Sequence, residues 1–159
     1  MIDRRAWRMR KILGGDPPTP RWPAGIGIRT LRTPADAKAV HALLIRAYEG
    51  DEDIFPSTED WWARFSGDPE FDGDLCFLAF DAEGSLAGVA LCWTSAFLKD
   101  LAVRFDMRRR GLGEALLLHV FSVFQSRGAT HIDLKVELDN AEGMRLYQRC
   151  GMVRVPWEG

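Results

Sequence analysis

The sequence predicts a mixed α/β (α+β) domain, with helices packed on a single sheet. Three observations predict it. Short apolar runs with strand periodicity and longer runs with helical periodicity follow one another as β-α-α-β-β and then β-α-β-α. Asp81-Ala82-Glu83-Gly84 sits between two apolar runs, the signature of a hairpin. Between Phe97 and Gly128 an apolar strand, a basic glycine loop and an apolar helix stand in direct succession.

Taken in order, residues 1–25 read as a basic, Pro/Gly-rich extension and residues 26–159 as one domain. The start carries Arg4, Arg5, Arg8, Arg10 and Lys11, but no apolar core follows to make it a secretory signal. Pro17, Pro18, Pro20 and Pro23 lie among four glycines between Gly14 and Gly27, which gives a linker or an extended arm. Ile26, Ile28 and Leu31 alternate as the first strand. Thr33-Pro34-Ala35-Asp36 opens a helix, with Thr33 as cap and Pro34 in the first turn; Val40, Leu43, Leu44 and Ala47 form its apolar face. Gly50-Asp51-Glu52-Asp53 ends that helix in an acidic loop. Ser57-Thr58-Glu59-Asp60 opens a second helix bearing Trp61, Trp62 and Phe65. Leu75–Phe80 and Leu86–Trp93 are the arms of the hairpin, and Thr130–Val136 alternates as a later half-buried strand.

Composition narrows the class. At 159 residues the chain suits one domain with a substantial core, and 47% apolar with 28% charged residues is ordinary for a globular protein. A net charge of −2 gives no general attraction to nucleic acid or anionic membrane. No apolar run approaches the ~18 residues of a membrane span. Cys76, Cys92 and Cys150 lack metal-ligand spacing and read as thiols of a reducing cytoplasm. No metal is expected.

The loop carries the functional signal. Arg108-Arg109-Arg110-Gly111-Leu112-Gly113 joins a strand to a helix start, where inward-turned amides, guanidinium charge and the helix dipole suit a pyrophosphate. A P-loop needs Gly-Lys-Ser/Thr, but Glu114-Ala115 follows Gly113; a dinucleotide fingerprint needs a third glycine where Leu116 stands. The plain alternative for the loop by itself is a basic surface turn capping an ordinary helix.

Downstream come Asn140 and a helical stretch with Met144, Leu146 and Tyr147, closed by Gly151-Met152. Leu101-x-Val103, Arg108-x-x-Gly111-x-Gly113, Asn140 and Leu146-Tyr147-x-x-x-Gly151 stand in one order and spacing that resembles the GNAT superfamily of N-acetyltransferases. The resemblance spans roughly Ile28 to the C-terminus, with its specific motifs between Leu98 and Met152. It implies a mostly antiparallel central sheet of roughly six or seven strands, with splayed central strands, flanked by about four helices. It also implies acetyl-coenzyme A as cofactor and a primary amine, on a small molecule or a protein, as acceptor.

Site residues follow from the same resemblance. Arg108, Arg109, Arg110, Gly111, Leu112, Gly113 and Glu114 are expected around the pyrophosphate, and Leu101, Ala102 and Val103 along the pantetheine arm, with the Val103 N–H at the thioester oxygen. Asn140 would bond the arm or cap the last helix. Tyr147 would protonate the departing thiolate; on the residues alone it is equally a half-buried helix residue. Asp100, just before Leu101, is a candidate base or substrate anchor, with an inert ion pair to Lys99 or Arg104 as the alternative. Glu49, Asp51, Glu52 and Asp53 suggest a cationic acceptor, and Trp61 a wall of its pocket; a solvated turn and a core aromatic are the plain alternatives. A non-catalytic acyl-coenzyme A sensor is the competing function, and Tyr147 with Asp100 favours the enzyme. Nucleic-acid binding through Arg108–Arg110 is weaker still. One departure from the family stands out. After Pro156-Trp157 the chain has almost ended, so the last strand of the closing hairpin is missing; the N-terminal arm or a second subunit of a homodimer would have to cover that edge.

Overall fold

The computed structural model describes residues 5–32, 34–48 and 57–157. Its elements are β1 (Ala6–Ile12), β2 (Gly27–Thr30), α1 (Pro34–Ala47), α2 (Thr58–Ser66), β3 (Cys76–Phe80), β4 (Leu86–Trp93), β5 (Phe97–Val103), α3 (Leu112–Ser126), β6 (His131–Glu137), α4 (Ala141–Arg149) and β7 (Val153–Val155). The seven strands form one sheet in the order β2-β3-β4-β5-β6-β1-β7. Every neighbouring pair is antiparallel except β5 and β6. The mixed, mostly antiparallel sheet with four helices is the architecture the sequence predicts.

Local chemistry sets the element ends. Ser57 caps α2 by accepting the Asp60 N–H at 3.3 Å. Asp81 accepts the N–H groups of Glu83 and Ser85, and Gly84 takes φ +82°, closing the β3–β4 hairpin. Asp36 receives both guanidinium nitrogens of Arg29 at 2.9 Å and the Arg32 N–H, which fastens the start of α1 to β2. Thr33, expected as the cap there, lies outside the described residues.

Two apolar layers sandwich the sheet. On one face α1 and α2 press Val40, Leu44, Trp61 and Phe65 onto Leu78, Val89, Leu91 and Ala102. On the other, α3 and α4 press Leu116, Val120, Phe121 and Tyr147 onto Phe77, Ala90, Leu98 and Leu134. Leu112, Leu116, Val120 and Phe124, buried four apart along α3, show why that stretch must be a helix.

The N-terminal segment departs from the sequence expectation. Instead of a loose arm, Ala6–Ile12 is a strand inserted between β6 and β7, and the boundary expected after residue 25 falls between two strands of one sheet. It takes the place beside β6 and β7 that the sequence assigned to the arm or a second subunit. Met9 points into the core and is fully buried, paired with Leu134. Arg8 and Arg10 point to the opposite face, where both bond the buried carboxylate of Asp133 at 2.7–2.9 Å. The Pro/Gly-rich connection then crosses α3, with Trp22 edge-on to His119 at 5.8 Å, to reach β2 at the far edge. The charged alternate positions hid this strand, because their partner lies more than a hundred residues away.

The sheet has one discontinuity. β5 and β6 are in register only at Phe97↔Asp133 and Leu98↔Leu134. Immediately afterwards β5 bulges: Leu91↔Asp100 and Cys92↔Leu98 leave Lys99 as the extra residue. A bulge bends and twists the strand that carries it, and beyond it no β5–β6 pairing is found.

Asp133 gives the fold a pH dependence. Burial alone would raise its carboxyl, but the hydrogen bonds from Arg10 and Arg8 outweigh burial and hold it below the usual carboxylate range. A depressed carboxyl stabilises the fold above its unfolded value of about 4. That contribution is lost as pH falls through the lower folded value. Urea midpoints measured downward from neutral pH should therefore fall in acid, and Asp133→Asn should lower stability at neutral pH while flattening this acid dependence.

Candidate active site

The discontinuity leaves one side of β5 unpaired past Leu98, and pairing on its other side decides which groups face that gap. The Arg104 N–H bonds the Ala87 carbonyl at 2.8 Å. Antiparallel ladders alternate between bonded and outward-facing pairs, so Ala102 bonds back toward β4 while Leu101 and Val103 turn their main-chain groups into the gap. The side chain of Ala102 is buried under α1, so its part is to hold the strand in place. The Val103 carbonyl also accepts Arg108 Nε at 3.3 Å.

Beyond β5 the chain enters the glycine loop. Arg109 adopts φ +61° and Gly111 φ +86°, both left-handed, and Gly111 caps α3 with no side chain bonded to the helix start. The first helical bond runs from the Ala115 N–H to the Gly111 carbonyl at 3.0 Å. The amides of residues 111–114 thus precede the helical ladder and, together with the dipole, offer donors to an anion. Arg109, Arg110 and Gly111 are exposed, and Arg108 lies against the exposed Phe105 ring. Leu112 buries its side chain in the core. A β-carbon at Gly113 would stand 3.7 Å from Leu146 and Val103, so the loop sits close under α4. The carboxylate of Glu114 is occupied by Arg149 Nε at 3.0 Å, a link that clamps α4 onto the first turn of α3.

That clamp sets Tyr147. It is buried on α4, and its phenol is pushed up to about 12, first by burial and then by the charge of Asp100. It therefore keeps its proton at neutral pH. Asn140 accepts the Gly143 N–H at 2.9 Å and caps α4, so its side-chain oxygen fixes the helix that carries Tyr147.

Asp100, only 7% exposed, lies on the face of β5 beneath α1. One oxygen accepts the Lys99 ammonium at 2.7 Å and the other the Tyr48 hydroxyl at 3.2 Å. Lys99 also rests near the Phe65 and Trp93 rings at 5.4 and 5.8 Å. Sequence reasoning missed Tyr48. The available signal was its place at the end of the first helix, beside the acidic loop, as one of only two tyrosines in the chain.

Two expectations for the acceptor side fare differently. Trp61 is a core residue and no pocket wall: at 5% exposure it stacks on His41 and Phe65 at 5.4 and 5.3 Å. Its helical position among aromatics turns it toward the sheet. Glu49, Asp51, Glu52 and Asp53 lie outside the described residues. Among the described residues no group of three or more His, Cys, Asp or Glu is placed to hold a metal, and no helix is long and apolar enough to cross a membrane.

The model of the acetyltransferase (GNAT) family matches residues 37–152. The chain is 30% identical over 157 residues to a mycothiol acetyltransferase of Actinosynnema mirum, covering 95% of this chain and 52% of that protein. It is 31% identical over 163 residues to a mycothiol acetyltransferase of Thermobispora bispora, again covering 95% of this chain but 54% of the relative. Among solved structures, a GCN5-related N-acetyltransferase from Sphaerobacter thermophilus superposes with a TM-score of 0.82 at 30% identity, covering 94% of this chain and 48% of that one. The chain spans about half the length of the curated relatives it matches.

The cap beneath Tyr147 is open to measurement. Asn140→Ala should cost about 1 kcal/mol of stability in urea unfolding, with the loss confined to the α4 end of the molecule in hydrogen exchange.

Proposed function

The chain belongs to the acetyltransferase (GNAT) family, and from that premise we propose that it moves the acetyl group of acetyl-coenzyme A to a primary amine by direct attack. The observation that carries this reading is the succession of unpaired main-chain groups from β5 to the start of α3. Out-turned main-chain groups of Leu101 and Val103 lead to the uncapped start of α3, with Tyr147 on the helix clamped over it. The donor set fits the cofactor: amides for an anion at one end, a strand edge for an extended amide-bearing arm, and a neutral phenol at the other.

Bound acetyl-coenzyme A supplies an activated acyl group and a thiolate leaving group. The amides of residues 109–114, with Arg108, Arg109 and Arg110, hold the pyrophosphate. Leu101 and Val103 pair with the pantetheine arm as a sheet edge pairs with an added strand, and the Asn140 amide donates to the same arm. The Val103 N–H stabilises negative charge gathering on the acyl oxygen. Tyr147 gives its proton to the departing sulfur, and Asp100 is the final sink for the amine proton. On the acceptor side, the mycothiol acetyltransferases among the relatives favour a small-molecule amine over a protein side chain. Glu49, Asp51, Glu52 and Asp53, next in sequence to Tyr48, suit a cationic one. A cytoplasmic location belongs to the same reading and is consistent with three free cysteines, whose thiols burial pushes up.

Calorimetry with acetyl-coenzyme A and thiol release across a panel of amines test the proposal. Heat on titration and turnover of at least one amine are expected; heat without turnover on any amine would indicate a sensor. Tyr147→Phe should lower kcat by roughly 100-fold or more while coenzyme affinity stays nearly unchanged; undiminished kcat would remove Tyr147 from the chemistry. Gly111→Val should abolish the heat of binding, because a branched residue resists the left-handed backbone that aims the amides.

A further inference from the structure

We propose that Tyr48 takes the proton of the attacking amine and hands its own to Asp100. This rests on the acetyl-transfer reading above and assigns the acceptor side of that site a residue of its own. The geometry is a short chain of polar atoms that joins a buried carboxylate on β5 to the end of α1. Asp100 is nearly enclosed, with one oxygen held by Lys99 and the other by Tyr48. Tyr48 is half-buried, at the C-terminal end of α1, its N–H bonded to the Leu44 carbonyl at 2.9 Å, so the helix end fixes its position. A phenol that gives its hydrogen to a carboxylate retains only acceptor capacity. Such an oxygen suits an N–H donor, which a primary amine is.

The groups around Tyr48 exclude the simpler role of a phenolate base. Asp100 and its partner Lys99 face it from β5, Tyr147 from α4 and Glu137 from β6. Burial first, then the negative charge of Asp100, raises the phenol well above its ordinary range. Tyr48 therefore stays protonated and acts by exchange, receiving one hydrogen as it releases another. As the C–N bond forms and the C–S bond breaks, the amine proton moves to Tyr48 Oη and the Tyr48 proton to Asp100. The Tyr147 proton goes to sulfur. Tyr48 ends as it began; Asp100 has gained the proton that Tyr147 has lost, and its transfer from one to the other restores both.

The chain has two tyrosines, so tyrosinate absorbance reads this site alone. In Tyr147→Phe the remaining phenol, Tyr48, should ionise well above the usual phenol value of about 10. Adding Asp100→Asn should bring the midpoint down by roughly one pH unit or more. Ionisation near the usual value, or a midpoint indifferent to Asp100, would overturn the proposal without any assay of activity. In turnover, Tyr48→Phe should bind acetyl-coenzyme A as the parent does, yet lose about 100-fold in kcat/KM for the best amine of the panel. The loss should lie chiefly in kcat, and small amine bases such as imidazole should restore part of it. A Tyr48→Phe enzyme within about threefold of the parent sinks the relay alone; a parent that neither binds the coenzyme nor acetylates any amine sinks the acetyl-transfer reading and the relay with it.

Discussion

One interruption in a hydrogen-bond ladder organises this molecule. Buried main-chain donors and acceptors demand partners, and in most of the sheet the neighbouring strand provides them. Past Leu98 the neighbour is withdrawn. A bulge at Lys99 turns β5 aside, leaving Leu101 and Val103 directed at a gap that another strand would otherwise fill. A ligand suited to that gap would imitate a strand at one end and carry negative charge at the other, where the chain turns sharply into α3. Fold and ligand preference are thus the same constraint seen from two sides.

Charge placement follows from it. Side chains from both faces of the sheet lie within electrostatic reach of each other here. Asp100, from the α1 side, is felt by Tyr147 on the opposite layer and by Tyr48 above it. One carboxylate therefore adds to what burial has already done to two phenols. Lys99, the residue the bulge displaces, balances that carboxylate, so the backbone irregularity and the ion pair have a common origin.

Legibility in the sequence followed the range of the interaction. The β3–β4 hairpin depends on Asp81 and Gly84 within its own turn, and the start of α2 on Ser57 three residues from its partner; both could be read directly. The loop at Arg108–Gly113 was legible as a tight turn into a helix because glycine conformation and the helix start are local too. β1 was not, since Arg8 and Arg10 read as solvated charge until Asp133 is brought beside them. Trp61 shows the complementary limit: helical period places an aromatic on a face, but only packing shows that this face looks inward. Tyr48 escaped for a related reason. Its meaning lies in a bond to Asp100, 52 positions away, and a tyrosine near a helix end has no pattern of its own.

The inserted N-terminal strand also fixes the order of assembly during synthesis. Residues 6–12 are made long before β6 and β7, the strands that flank them in the sheet. Until then Met9 and Trp7 have no partners, and an unpaired apolar strand invites misassociation. The alternating arginines keep that early segment hydrated while it waits, and the same charges later lock it in place on Asp133. An insertion of this kind makes the sheet a late event, completed only when β1 meets strands made more than a hundred residues after it.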